Sequence, residues 1–219
     1  MSGKPNNEPV WPLFDLRLTF NNTMLRPVRE TDLDELARIL PDDFEQDPSS
    51  SILLGLDVAS NRRRLLFQNY WRNWSTWSVE SWKLDFCVIY QGQVAGIQAL
   101  EADDFVELRT VDSGSWLAPE YRGIGLGTSM RIAILGLAFD HLGAQAAITS
   151  ARFDNAASLG VSRRIGYQEN GVTMSRSPSG PCQLHHMRLT RAQWRESSLG
   201  DSVIVTGLSG CALYFGLEL

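Results

Sequence analysis

The apolar positions of this 219-residue chain change period repeatedly, and each change predicts an element. Alternation at Leu16, Leu18 and Phe20 predicts a first strand over 13–20, and 25–28 continues extended. Leu33, Leu36, Ala37 and Leu40 then recur at helical spacing. Thr31 stands where a cap belongs, acids fill the first turn, and Pro41 stops the helix. Residues 41–55 read as a loop. A long helix follows over 57–77, carrying Phe67, Tyr70, Trp71, Trp74 and Trp77 at helical spacing. Such a stripe supplies buried area against a core or a sister subunit; its other reading is a wall over an acceptor site.

Beyond it, 86–90 and 94–100 flank Gln91-Gly92-Gln93 as a hairpin, and 108–117 reads as one strand. An apolar helix over 130–141, a strand over 145–150 and a helix over 155–165 closed by Gly166 come next. Two strands, 167–174 and 182–189, surround Ser177-Pro178-Ser179-Gly180, and Thr190 opens a short helix. The division expected is a flexible lead-in over 1–12, a domain over 13–197 and a tail over 198–219 that packs on the body or on a sister subunit. The tail is interrupted by Gly207, Ser209 and Gly210, so it is no membrane span.

Composition narrows the class. Hydrophobic residues at 43% and charged residues at 21% are globular values, and a net charge of −5 gives no footing for general nucleic-acid binding. Cys87, Cys182 and Cys211 are isolated and odd in number, which argues for a reducing compartment and against a disulfide framework or a zinc site. No secretory signal and no membrane span are expected, so the chain reads as cytoplasmic.

The chemistry concentrates in Arg122-Gly123-Ile124-Gly125-Leu126-Gly127-Thr128, between a predicted strand and a predicted helix. The first amides of a helix lack intrahelical partners, the helix dipole adds positive charge there, and glycine lets an anion come close. The spacing does not fit a nucleotide P-loop, which needs Lys-Ser or Lys-Thr after the last glycine, nor a dinucleotide turn, where Thr128 stands in place of the third glycine. An ordinary strand-to-helix turn remains the plain alternative.

Arg122, Gly125 and Gly127 spell R-x-x-G-x-G, which resembles the pyrophosphate loop of the GNAT superfamily of acyl-CoA-dependent N-acyltransferases. Asn155 and Ser158 followed by Gly166-Tyr167, together with the stretch from Val111 through Trp116 to Pro119, resemble the branch of the ribosomal-protein N-acetyltransferases RimJ and RimL. The segment from Trp11 to Leu16 is similar to actinobacterial members, some of which use succinyl-CoA. The likeness spans roughly residues 13–190.

The resemblance implies an α+β (mixed α/β) fold with a central, twisted, mostly antiparallel sheet flanked by helices. It implies transfer of an acyl group from acetyl-CoA, or alternatively succinyl-CoA, to a primary amine by direct attack, without a metal. The amides of Gly123, Ile124, Gly125, Leu126, Gly127 and Thr128, with Arg122 nearby, would hold the diphosphate. Trp116, Leu117 and Ala118, on a strand splayed from its neighbour at Ser150, would hold the pantetheine arm and stabilise the oxyanion, with Asn155 and Ser158 flanking the arm and the sulfur. Asp112 is the implied general base, or else only orients the ammonium.

Relatives carry a tyrosine acid where this chain has Ser162, which leaves Ser158 or solvent to protonate the thiolate. Arg29, Arg109 and Arg62 to Arg64 are unranked candidates for a succinyl carboxylate. His141 reads as structural at a helix end, and one of His185 and His186 faces inward. The acceptor is an amine-bearing small molecule, a protein N-terminus or a lysine; no nucleic acid or membrane is involved, and a homodimer or higher oligomer is expected. A non-catalytic acyl-CoA-binding regulator on the same fold and a dinucleotide binder are the rivals.

Overall fold

The computed structural model describes residues 10–44, 50–177 and 180–217. Most of the 1–12 lead-in, the middle of the 41–55 loop, Pro178-Ser179 and the last two residues lie outside them. Pro12, which presets a helical φ, turns Pro12–Asp15 into one 3₁₀ turn, so the first strand is shorter than its pattern. β1 (Arg17–Phe20) and β2 (Thr23–Pro27) pair antiparallel. A second 3₁₀ turn, Glu30–Asp32, takes in Thr31 and leads into α1 (Leu33–Ile39). Here Asp32 rather than Thr31 ties the turn: it accepts from the Arg29 N–H and forms a fork with the Arg26 guanidinium at 2.6 and 2.7 Å.

α2 (Val58–Ser75) is capped by Asp57, whose carboxylate accepts from the Ser60 N–H. β3 (Ser81–Tyr90) and β4 (Gln93–Asp103) form the long hairpin. Its two-residue turn uses Gln91 and Gly92, both at positive φ, the geometry a tight hairpin requires. The stretch read as a single strand over 108–117 is three pieces: the end of a helical turn α3 (Phe105–Leu108), β5 (Thr110–Asp112) and β6 (Ser115–Leu117). After the glycine loop come α4 (Leu126–Gly136) with a π-helical turn at Leu137–His141, β7 (Ala146–Arg152) and α5 (Ala156–Ile165). β8 (Gln168–Ser177), β9 (Gly180–Thr190), α6 (Arg191–Ser197) and β10 (Ile204–Thr206) complete the chain.

The strands form one sheet in the order β10-β1-β2-β3-β4-β5-β7-β9-β8, with β6 added to β4. Pairings are antiparallel except β5 with β7. Side-chain alternation divides the core. Leu84, Leu100, Val111 and Ala147 face α4 and α5, whereas Cys87, Ile97 and Trp116 face α1 and α2.

Much of the aromatic stripe is packing, although Trp71 is half exposed and Trp77 lies past the end of α2. Trp74 and Trp77 stack 5.9 Å apart and meet Trp11, while Trp77 also stacks on Trp82 and donates to the Tyr214 carbonyl. The tail closes this cluster: β10 pairs with β1, and Cys211 and Phe215 are fully buried. Burial pushes the Cys87 thiol up to about 12 and the Cys211 thiol up to about 11, so both are inert as nucleophiles at neutral pH.

Candidate active site

The site is built where one ladder stops. β5 and β7 run parallel through Asp112↔Ile148, and β6 then pairs only with β4, at Gly96↔Leu117, Ile97↔Trp116 and Gln98↔Ser115. A V-shaped gap therefore opens between β6 and β7. Two residues of β4 hold β6 to its own side. Gln98, fully buried, donates to the carbonyls of Ala99 and Gly114 and so fixes the break between β5 and β6. Gly96, at φ +155°, lets the β6 backbone approach so closely that a Cβ there would lie 2.2 Å from the Trp116 oxygen.

Hydrogen-bond alternation decides what faces the gap. The Ala118 N–H goes to Ala95 of β4 at 2.9 Å, so the Leu117 N–H points the other way, toward β7. Trp116 turns its side chain to the α1 side, beside Phe44, and Ala118 is fully buried there.

The glycine loop stands at the open end. Gly123 and Gly125 take positive φ, and a Cβ on either would meet nothing within 4 Å, so the space before them is clear. The Thr128 and Ser129 amides turn back to the Gly125 carbonyl, which leaves the amides of 123–127 as the unpaired tip of α4. Leu126 anchors the tip in the core, Ile124 is exposed, and Gly127 lies against Val161 and Leu117. Thr128 Oγ1 accepts from Arg164 of α5 at 3.3 Å, bringing a cation to the loop.

Arg122 is held elsewhere. Its Nε donates to the Leu117 carbonyl at 3.0 Å and its fork grips Asp43 at 2.7 and 2.8 Å, which raises the guanidinium pKa and lowers that of the Asp43 carboxyl. Arg122 thus ties the loop to the segment after α1. Across the gap, Asn155 Oδ1 caps α5 through the Ser158 N–H, and buried Ser162 donates to the Ser158 carbonyl at 3.2 Å.

Asp112 sits at the closed end of the V, on the α1/α2 side. It lines a cavity of about 370 Å³ with Lys83, Glu101, Asp103, Thr76 and Ile148. Burial drives its carboxyl up to about 6; the adjacent Ser113 N–H opposes this and the Glu101 charge adds to it. On the opposite side of the sheet, beneath the break, lies a polar knot. Arg131 of α4 is 3% exposed, donates to Thr149 Oγ1 at 3.3 Å, and Thr149 in turn donates to the Ser113 carbonyl at 3.0 Å. Arg131 Nε, Ser113 Oγ and Tyr167 OH are buried without hydrogen-bond partners.

A profile of the acetyltransferase (GNAT) domain matches residues 22–168, more than half of the chain. The chain belongs to the GNAT acetyltransferase family. Solved structures agree on the fold of this acetyltransferase. RimJ of Mycobacterium smegmatis, in complex with a CoA disulfide, superposes with a TM-score of 0.66 at 18% identity, over 88% of this chain and 97% of its own. A probable acetyltransferase gives 0.64 at 20% identity, over 81% and 98%. RimL, the ribosomal L7/L12 alpha-N-protein acetyltransferase, gives 0.62 at 16%, over 78% and 91%.

The fold of this acetyltransferase sets Asp112, β6, the glycine loop and the start of α5 along one gap, with Asp112 at its apex and the loop at its mouth. The histidines lie apart from the loop: His186 pairs with Thr173 at 2.7 Å and His185 lies 3.7 Å from Glu169. Arg29 stacks on Phe14 and Arg109 on Phe105. Sequence reading overlooked Glu101, Arg131 and Arg164. For Arg131 a signal existed, because it is the one charge in the apolar run from Met130 to Phe139.

Proposed function

We propose that this protein transfers an acetyl group from acetyl-CoA to a primary amine, with Asp112 as general base. The observation that carries the reading is the end of the β5/β7 ladder at Asp112, which leaves a gap with an amide-lined loop at one end and a half-buried carboxylate at the other. The site fits the donor. The amides of 123–127 at the tip of α4 suit a diphosphate, with Arg164 adding charge. Alternate amides and carbonyls of β6 suit the pantetheine arm, between Leu117 on one side and Asn155 and Ser158 on the other.

Acyl-CoA, when bound, supplies the thioester carbonyl that the amine attacks. The Leu117 N–H is the donor aimed at the carbonyl oxygen, a contribution worth about 3 kcal/mol in comparable sites. Asp112 takes a proton from the incoming ammonium, and a carboxyl that titrates near 6 is a far better acceptor at neutral pH than an ordinary aspartate. With Ser162 buried and committed to the Ser158 carbonyl, the Ser158 hydroxyl or solvent protonates the departing sulfur.

The acceptor is an amine-bearing small molecule, a protein N-terminus or a lysine; the alpha-N-protein activity of RimL makes a peptide N-terminus the first to try. One observation favours a second donor. Arg131 is a buried cation beside the buried hydroxyls of Ser113 and Tyr167, and that set of donors suits an acyl group ending in a carboxylate, such as succinyl. Arg131 is a better candidate for that role than Arg29 or Arg109, which are engaged on aromatic rings.

The test is Asp112→Asn. Acetyl-CoA and succinyl-CoA should each bind the variant as they bind the parent in calorimetry, while thiol release with a panel of peptides and polyamines falls by about a hundredfold or more. Unchanged release would refute the base assignment. Retained binding with no release in either protein would favour the regulator.

A further inference from the structure

Asp112 does not stand alone on its face of the sheet. The registers Lys83↔Glu101 and Glu101↔Asp112 place three charged residues in one row across β3, β4 and β5, all lining the same cavity. Lys83 Nζ meets Glu101 Oε2 at 2.6 Å, so Glu101 has an ionic partner. Asp112 has none; its one hydrogen bond comes from the next backbone amide, Ser113. Residues directly opposite on neighbouring strands have Cβ atoms about 5 Å apart, close enough for two carboxylates to repel strongly in a half-buried cavity.

We propose that Glu101 is a positioning residue for the transfer reaction: clamped by Lys83 on one side, it faces Asp112 as a fixed negative charge, so that the proton released by the incoming amine is taken up by Asp112, the unpartnered carboxylate of the pair. This inference rests on the reading of Asp112 as the base. It deepens that reading in two ways. It divides the roles within a carboxylate pair by environment, the partnered member staying charged and the unpartnered member exchanging the proton. It also identifies the acceptor as an amine that arrives in its ammonium form, because the cavity lining carries Glu101, Asp103 and Asp112 against the single cation Lys83. The ammonium then lies beside the pair before one of its protons passes to Asp112 and the neutral amine is left to attack.

Other charges reach Asp112 from every side. Arg131 approaches from α4 beneath the sheet, with Tyr167 beside it, and both Arg131 and Lys83 favour the ionised form. Asp85 lies beyond Lys83 on the same face of β3, held by Asn73 of α2 at 2.8 Å. Arg188 of β9 stands in register beyond Ile148. Among the carboxylates, Glu101 is the one directly opposite Asp112, so its removal is the decisive perturbation.

The experiment follows the Asp112 carboxyl itself, by carbon NMR titration of protein labelled at its aspartate carboxyls, the resonance being assigned by its loss in Asp112→Asn. Glu101→Gln should weaken proton binding at Asp112 about tenfold, and Lys83→Met should strengthen it. Shifts of opposite sign cannot come from a shared loss of folding. The same Asp112 midpoint in parent, E101Q and K83M would overturn the proposal. The acid limb of thiol release separates the two readings. If the midpoints move but Asp112→Asn retains full release, the base reading fails and the coupling stands. If Asp112→Asn abolishes release and the midpoints do not move, the coupling fails and the base stands.

Discussion

Gly96→Ala tests whether the gap depends on how β6 is held. The new Cβ would stand 2.2 Å from the Trp116 oxygen and 2.9 Å from the Leu117 Cα. Both are backbone atoms, so no rotamer change can make room, and β6 must move off β4 by about 1 Å to restore ordinary contact. The φ of +155° adds strain for any residue with a side chain. Overpacking and strained backbone each cost about 1–3 kcal/mol, so the variant should lose about 2–5 kcal/mol in urea unfolding. The displaced segment carries the Leu117 N–H, and a shift of this size in an oxyanion donor should lower turnover by about a hundredfold. Calorimetry with adenosine diphosphate, which carries the diphosphate without the pantetheine arm assigned to β6, checks that the loop is intact, since the amides of 123–127 lie outside the disturbed register. A variant within 0.5 kcal/mol of the parent and fully active would show that β6 is not held by the close approach at Gly96.

Asp112→Asn should stabilise the fold while removing activity. The carboxyl is raised to about 6 in the folded state, above its unfolded value, so its ionisation opposes folding: the cost is small near pH 4, grows as pH rises from there to 6 and is complete above it. The variant should gain at most about 3 kcal/mol at pH 7.5 and nothing near pH 4, read from denaturation at both values; an equal gain at both would contradict the linkage. Gly125→Val places a branched side chain at φ +88° in the open space before the loop, and its CoA affinity should fall at least about tenfold by calorimetry, whereas a turn with no anion to hold would bind as before. Asp32 is held low by the Arg26 fork and the Arg29 amide even though burial works against them, so stability linked to it is present at neutral pH and lost as the carboxyl protonates in acid; Asp32→Asn should flatten the acid limb of the stability profile. Truncation after Ser202 removes β10 together with buried Cys211 and Phe215, and the shortened protein should lose its cooperative thermal transition, seen by circular dichroism.

The parts of the site that sequence revealed are those whose physics is local. A glycine loop before an apolar helix declares itself because free amides and positive φ are consequences of a few consecutive residues. The opening of a helix at Asn155 and its end at Gly166 were legible for the same reason, although the capping role of the Asn155 side chain came only with the structure. What was hidden depends on partners far along the chain. The stretch 108–117 carries Gly114 as a local hint of a break, but the way Gln98 and Gly96 on β4 divide it at Ser113-Gly114 shows only in the fold. The fork between Arg122 and Asp43 spans 79 positions, and nothing near Arg122 announces that its charge is already engaged. Glu101 fell just past the strand predicted over 94–100, and only the register of the longer β4 sets it opposite Asp112.

α4 and its π-helical turn have one further consequence. From Met130 to Phe139 every residue is buried, Gly136 is pressed against Val203 of the tail, and only the two ends, the first turn and Asp140-His141, reach solvent. The glycine loop is therefore joined to one end of a rod whose middle is sunk in the core on all sides. Such a rod cannot tilt or rewind without unfolding the domain, so the loop is shaped before its ligand arrives. Binding then forfeits little chain entropy at that end, and slow amide exchange along the rod should be nearly the same with and without CoA.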